Sequence, residues 1–115
     1  MNIIIGVFIL GGLGSLIRYI TSIFLINNLY AVLSVNIIAS FFLGILSATV
    51  GLSSEYKIII IFGLLGSLST FSSYALQIHQ LLLEGQFLQA SLVFVGNNLL
   101  SIIACYLGYK LVLNL

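Results

Sequence analysis

Charge is what this sequence has least of. Three Lys or Arg and two Asp or Glu make up 4 % of 115 residues. A soluble domain carries about a quarter charged residues, so this chain has too little charge to cover a water-facing surface. Hydrophobic residues make up 62 % of it and the mean hydropathy is +1.33, the composition of a membrane protein. With one cysteine, Cys105, an internal disulfide and any CxxC metal or redox motif are excluded; Cys105 reads as a small apolar residue on a membrane helix. The sequence has no basic run that would suggest nucleic acid or a polybasic lipid site. It also has no GxGxxG, P-loop or HExxH pattern, so nothing in it reads as an enzyme. The opening "MNIIIGVFILGG" lacks a basic n-region and a small-residue cleavage site, so the first span is expected to stay in the mature protein.

Four stretches remain, each long enough to cross a bilayer at about 20 apolar residues: Ile3–Leu25, Tyr30–Gly51, Lys57–Leu83 and Leu88–Val112. The breaks between them are short and polar, "NN" at 27–28, "SSEYK" at 53–57 and "EGQ" at 84–86. Loops this short force neighbouring helices antiparallel. The expected fold is therefore an all-α membrane protein, residues 1–115 forming one four-helix unit with both termini on one side. Lys57 and Lys110 fall on the side of the termini and the other side has no Lys, which by the positive-inside bias points the termini to the cytoplasm. Glu55 and Glu84 both lie in loops. A proton-coupled exporter needs a carboxylate at membrane depth, so a small multidrug-type exporter is the weaker reading of four short helices.

The polar residues inside the spans are few. Arg18, in "GGLGSLIRYITS", is the only formal charge well within one. It stands about seven residues from the span's end, roughly 10 Å, so it can snorkel or favour an anion nearby. Gly6, Gly11, Gly12 and Gly14 precede it and read as close helix packing. Asn36, with Ser40 one turn on, can bridge helices or offer its amide to a small anion. Asn97 and Ser101 form a polar stripe on the fourth span, with Asn98 beside it.

The stretch "GLLGSLSTFSSY", residues 63–74, puts two glycines, four serines and a threonine in the middle of the third span. Two readings stand: a continuous helix whose serines bond back to carbonyls one turn earlier, or a helix broken at mid-depth. A break survives there only if buried in protein or facing a cavity, and it offers carbonyls to a cation and N–H groups to an anion. Phe71 and Tyr74 are three apart, so their electropositive ring edges can share a face.

Taken together, "VFILGGLGSLIRY", "VNIIASFFLG", "GLLGSLSTFSSY" and "LLLEGQF" resemble, in order and over nearly the whole chain, the motifs of the small CrcB/Fluc-type fluoride channels. The third is similar to that family's signature G-F-x-G-G-x-T-T-F-S-T-F. The resemblance implies a passive fluoride channel that protects the cell from fluoride: an antiparallel dimer in the bacterial cell membrane, with a structural sodium ion held at its centre by backbone carbonyls. On this chain those carbonyls would be Gly66 and Ser69. The fluoride pathway would use Asn36, Thr70, Phe71, Ser72, Tyr74, Asn97 and Ser101, with Arg18 as the vestibule cation. The chain departs from the family pattern at several positions. Tyr74 stands for a second Phe, Ser67 and Ser69 for a Gly and a Thr, Gln77 for a Glu, and Ala75 for a Ser. Val32 and Val93 stand where polar residues are common. These departures and the lysine bias leave two assemblies open, a homodimer and a heterodimer in which this chain pairs with a paralogous subunit and only one pore is intact.

Overall fold

The computed structural model describes residues 2–25 and 27–115. Among the described residues four helices are long and apolar enough to cross a membrane: α1 (Ile3–Phe24), α2 (Asn28–Ala48), α3 (Ser54–Leu83) and α4 (Phe87–Leu113). Each expected span falls on one of them. Helix α3 starts three residues earlier than expected, at Ser54, because the Ser53 hydroxyl accepts the Tyr56 N–H at 3.4 Å and caps it. Asn2 and Asn27 cap α1 and α2 in the same way, taking the N–H groups of Ile4 and Leu29 at 2.9 Å. Side-chain oxygens at these positions satisfy donors that have no partner within the helix.

The turn after α3 is set by Gly85, at φ +72°. There the Gly85 N–H donates to the Leu82 carbonyl and the Gln86 N–H to that of Leu81, the paired reverse bonds that need a left-handed residue at the helix end. Lys57 is held at the other side of the molecule, its Nζ donating to the Thr49 carbonyl at the end of α2 at 2.7 Å. A cation there complements the negative end of the helix dipole.

Helix packing depends on small residues. Helix α1 lies against the first half of α3, where Gly6 faces Ile59 and Gly14 faces Leu64 and Ser67. Of the four glycines read as packing positions, these two are in close contact; Gly12 has nothing within 4 Å of where a Cβ would be. Helices α2 and α4 meet at Gly44 and Gly108, where a Cβ would run into the carbonyls of Cys105 and Phe41 respectively. A buried cluster of Val35, Ala39, Leu65 and Leu68 fills the space between α2 and the first half of α3. Large apolar side chains such as Phe8 and Phe24, each 80 % exposed, point outwards, as a lipid-facing surface requires.

Helix α3 is not continuous. Its first half passes from α-helix into a π-helical segment, Ile59–Leu65, and a last turn, Gly66–Leu68. Ser69 and Thr70 are then extended, at φ −74°, ψ 154° and φ −148°, ψ 118°. The helix resumes at Phe71 with Thr70 as its cap, the Oγ1 accepting the Ser73 N–H at 3.2 Å. Of the two readings of this stretch, the broken helix is the one observed. A second π-helical segment, Gly96–Leu100, lies in α4 and contains both asparagines of the polar stripe.

Candidate functional site: a polar cavity at the helix break

A broken helix at mid-depth leaves backbone groups that must be paired. The Thr70 N–H, which in a continuous helix would donate to the Gly66 carbonyl, instead donates to Asn36 Oδ1 at 2.8 Å. Asn36 Nδ2 donates to the Thr70 carbonyl at 3.3 Å and to Asn97 Oδ1 at 2.9 Å. Asn97 in turn donates to the Val93 carbonyl of its own helix at 3.0 Å. Thus one α2 amide holds the extended residue of α3 and joins it to α4. Sequence reasoning left Asn36 either as a helix bridge or as an amide offered to an anion; in the structure both of its N–H groups are engaged within the protein.

The break takes the helical donors from the four carbonyls of residues 66–69, and two of them matter here. Gly66 loses the Thr70 N–H to Asn36, and Ser69 loses the Ser73 N–H to the Thr70 hydroxyl. Both residues line a shallow recess with Ala39, Ser40, Leu43 and Leu65. Neutral carbonyl oxygens suit a hard cation such as sodium, and these are the two positions the resemblance singled out. Two such oxygens are part of the set that a cation of this kind takes. Among the described residues there is no cluster of His, Cys, Asp or Glu that could hold a metal ion.

Beside the break lies a cavity of about 190 Å³, lined by Asn36, Ser40, Ser69, Thr70, Phe71, Tyr74, Asn97, Asn98 and Ser101. Six of the eight expected pathway residues are therefore together. The Phe71 and Tyr74 rings meet edge to face, centroids 5.4 Å apart at 66°, although Phe71 is 77 % exposed and Tyr74 only 6 %. Ser67, Ser69 and Ser91 bond back to carbonyls four residues earlier, whereas the Ser101 hydroxyl is buried with no partner and borders the cavity. Asn98, which sequence reasoning set merely beside the stripe, donates to the Tyr74 hydroxyl at 2.9 Å. The π-helical turn around these residues widens the helix, a feature common at functional sites; within it Asn97 serves α2 while Asn98 serves α3.

Two of the expected residues lie elsewhere. Ser72 is exposed, its hydroxyl 3.4 Å from that of Thr70. Arg18 borders a separate recess of about 310 Å³ with Ser15, Tyr19, Ser22, Asn28 and Ser73. No carboxylate lines it, so the guanidinium is available to an anion. Ser73, which sequence reasoning missed, links the two spaces: its hydroxyl accepts from Thr70 Oγ1 at 3.1 Å. The T-x-x-S spacing was the available signal, since it is the spacing of a helix cap. Gln77 is buried and donates from Nε2 to the Asn28 carbonyl at 2.9 Å, a bond that an ionised glutamate at this position could not make.

Comparison with known proteins gives consistent matches. Residues 5–109 match the family model described as CrcB-like protein, Camphor Resistance (CrcB). A protein of Shewanella baltica strain OS155 named fluoride-specific ion channel FluC is 38 % identical, the match covering 97 % of each chain. Proteins of the same name from Shewanella sp. strain W3-18-1 and Shewanella oneidensis are 40 % and 37 % identical, the matches covering 89 % and 97 % of each chain.

Proposed function

The chain belongs to the CrcB-like family, and on that premise we propose that this multi-pass membrane protein is a subunit of a fluoride channel that lets the anion leave the cell passively. The observation that carries this reading is the cavity at the helix break, which gathers ring edges, hydroxyls and amides but no formal charge. Fluoride holds its water strongly. A conduction site must attract it enough to strip that water, yet weakly enough to release it. A fixed cation in the path would hold the ion; neutral donors and ring edges avoid that. The guanidinium of Arg18, in its own recess, concentrates anions at one mouth without standing in the cavity.

The assembly we propose is a dimer of antiparallel subunits, this chain with a second copy or with a paralogue. Its support is physical. The Gly66 and Ser69 carbonyls lack their helical donors, and Phe71 stands exposed at mid-depth. Unpaired backbone does not face lipid, so this face requires a covering partner. A two-fold arrangement would bring the Gly66 and Ser69 carbonyls of both subunits to one sodium ion. When bound, that ion supplies positive potential that favours an anion nearby. We place the termini in the cytoplasm on the lysine bias. Glu55 and Glu84 lie in the first turn and at the end of α3, outside the cavity, which leaves a proton-coupled exporter without its carboxylate.

Expression of this chain in fluoride-sensitive bacterial cells lacking their own exporter is expected to restore growth in millimolar fluoride. No rescue by protein verified in the membrane, either alone or with a paralogous subunit, would overturn the reading.

A further inference from the structure

Tyr74 lines the cavity, its hydroxyl bonded to another lining residue, Asn98, and the hydrogen bonding of that hydroxyl is one-sided. Asn98 Nδ2 donates to the Tyr74 hydroxyl at 2.9 Å and to the Phe94 carbonyl at 2.8 Å. The second bond fixes which end of the Asn98 amide faces the ring, because the Phe94 carbonyl can only accept. The Tyr74 oxygen therefore acts as acceptor, and no protein group takes its proton. The ring is 6 % exposed and packed edge to face on Phe71, which holds the phenol in place. Across the same cavity the Ser101 hydroxyl is also buried without a partner. The asparagine amides and the Thr70 hydroxyl are already committed to protein partners. Tyr74 and Ser101 are thus the buried hydroxyls that the cavity keeps unspent, beside the half-buried Ser40, which also makes no bond.

We infer that the Tyr74 hydroxyl, polarised and aimed by Asn98, is a hydrogen-bond donor to the anion in this cavity that sets its affinity; the inference rests on the fluoride-channel reading. A bond received from Asn98 strengthens the donor capacity of the same hydroxyl, and a hydrogen bond to an ion is stronger than one between neutral groups. A ring edge alone gives a shallower site. Tyr74 therefore deepens the anion's well, so the cavity fills at lower fluoride and empties more slowly. Asn98 acts through Tyr74 as a positioning residue.

The test is initial fluoride efflux from liposomes as a function of fluoride concentration, for wild type, Tyr74→Phe, Asn98→Leu and the double variant. The variants are first checked for a wild-type size-exclusion profile. Loss of a bond to an ion corresponds to about a tenfold change in affinity. Tyr74→Phe is expected to raise the half-saturating concentration about tenfold while leaving the maximal rate equal or higher. Asn98→Leu is expected to shift it the same way, and the double variant no further than Tyr74→Phe alone. A role confined to packing would lower the maximal rate without that shift. Should Tyr74→Phe fail to fold, Asn98→Leu, which keeps the phenol and changes an exposed residue, carries the test. A conducting wild type with unshifted variants overturns this inference alone. A folded wild type that conducts nothing, alone or with a paralogous subunit of opposite orientation, overturns the channel reading and this inference with it.

Discussion

Replacing Asn36 with leucine is expected to cut fluoride efflux by at least about a hundredfold, the largest loss from any single side chain in the cavity. The reason lies in the three bonds that Asn36 makes, accepting the Thr70 N–H and donating to the Thr70 carbonyl and Asn97. Leucine has about the right volume but no polar atoms, so Thr70 is left extended with both backbone groups unpaired in the middle of the span. Each such group costs about 1–3 kcal/mol, enough at the middle of that range to account for two orders of magnitude. The chain has a cheaper alternative. Thr70 can turn helical and return its N–H to the Gly66 carbonyl, satisfying one of the freed oxygens and closing the break. The variant is therefore expected to insert and fold while losing conduction. Efflux with a fluoride electrode checks the first part, and new exchange protection at the Phe71 and Ser72 N–H groups, which regain helical acceptors once the break closes, checks the second. Unchanged efflux would show that the break stands without Asn36.

A Cβ at Gly108 has the largest expected effect on stability. At this position α4 crosses α2 so closely that a methyl group would run into the Phe41 carbonyl, while on the facing helix the Gly44 position is closed by the Cys105 carbonyl. Both obstacles are backbone, which cannot swing aside as a side-chain tip can. Gly108→Ala must then push the helices apart along the contact that holds Asn97 near Asn36. Overpacking usually costs about 1–3 kcal/mol, and a displaced backbone puts this case at the upper end. Thermal unfolding in detergent is expected to shift down by several degrees or more, with fluoride efflux lost as well. Gly12→Ala is the control, since nothing stands within 4 Å of its Cβ in this subunit. Equal stability of the two variants would contradict the close contact between α2 and α4.

Much of this architecture is legible in the sequence because the bilayer imposes few solutions. Apolar length and short polar breaks locate all four helices to within a few residues, and the hydroxyl-rich stretch in the third locates the break. What the sequence does not show is how the polar groups divide their bonds. Asn36 reads either as a helix bridge or as an amide offered to an anion until it is seen to donate to the Thr70 carbonyl, 34 positions away, and to Asn97. Arg18 reads as a vestibule cation, but the sequence does not show which residues share its recess, Ser15, Tyr19, Ser22, Asn28 and Ser73 among them. The π-helical segments leave no mark in apolar periodicity, and they turn Asn98 towards Tyr74. Gly44 and Gly108 escaped notice beside the conspicuous cluster in α1. The signal was present in Ser40-x-x-x-Gly44 and Ala104-x-x-x-Gly108, the small-residue spacing of close membrane helices.

The central claim is that a cavity without fixed charge conducts fluoride. Its most direct test is fluoride efflux from liposomes holding the purified chain, driven by a potassium gradient with valinomycin and read with a fluoride electrode in chloride buffer. The account predicts rapid, voltage-driven efflux that chloride does not compete away, from this chain alone or on adding a paralogous subunit of opposite orientation. Silence in both preparations, from protein that is folded and inserted, would contradict it.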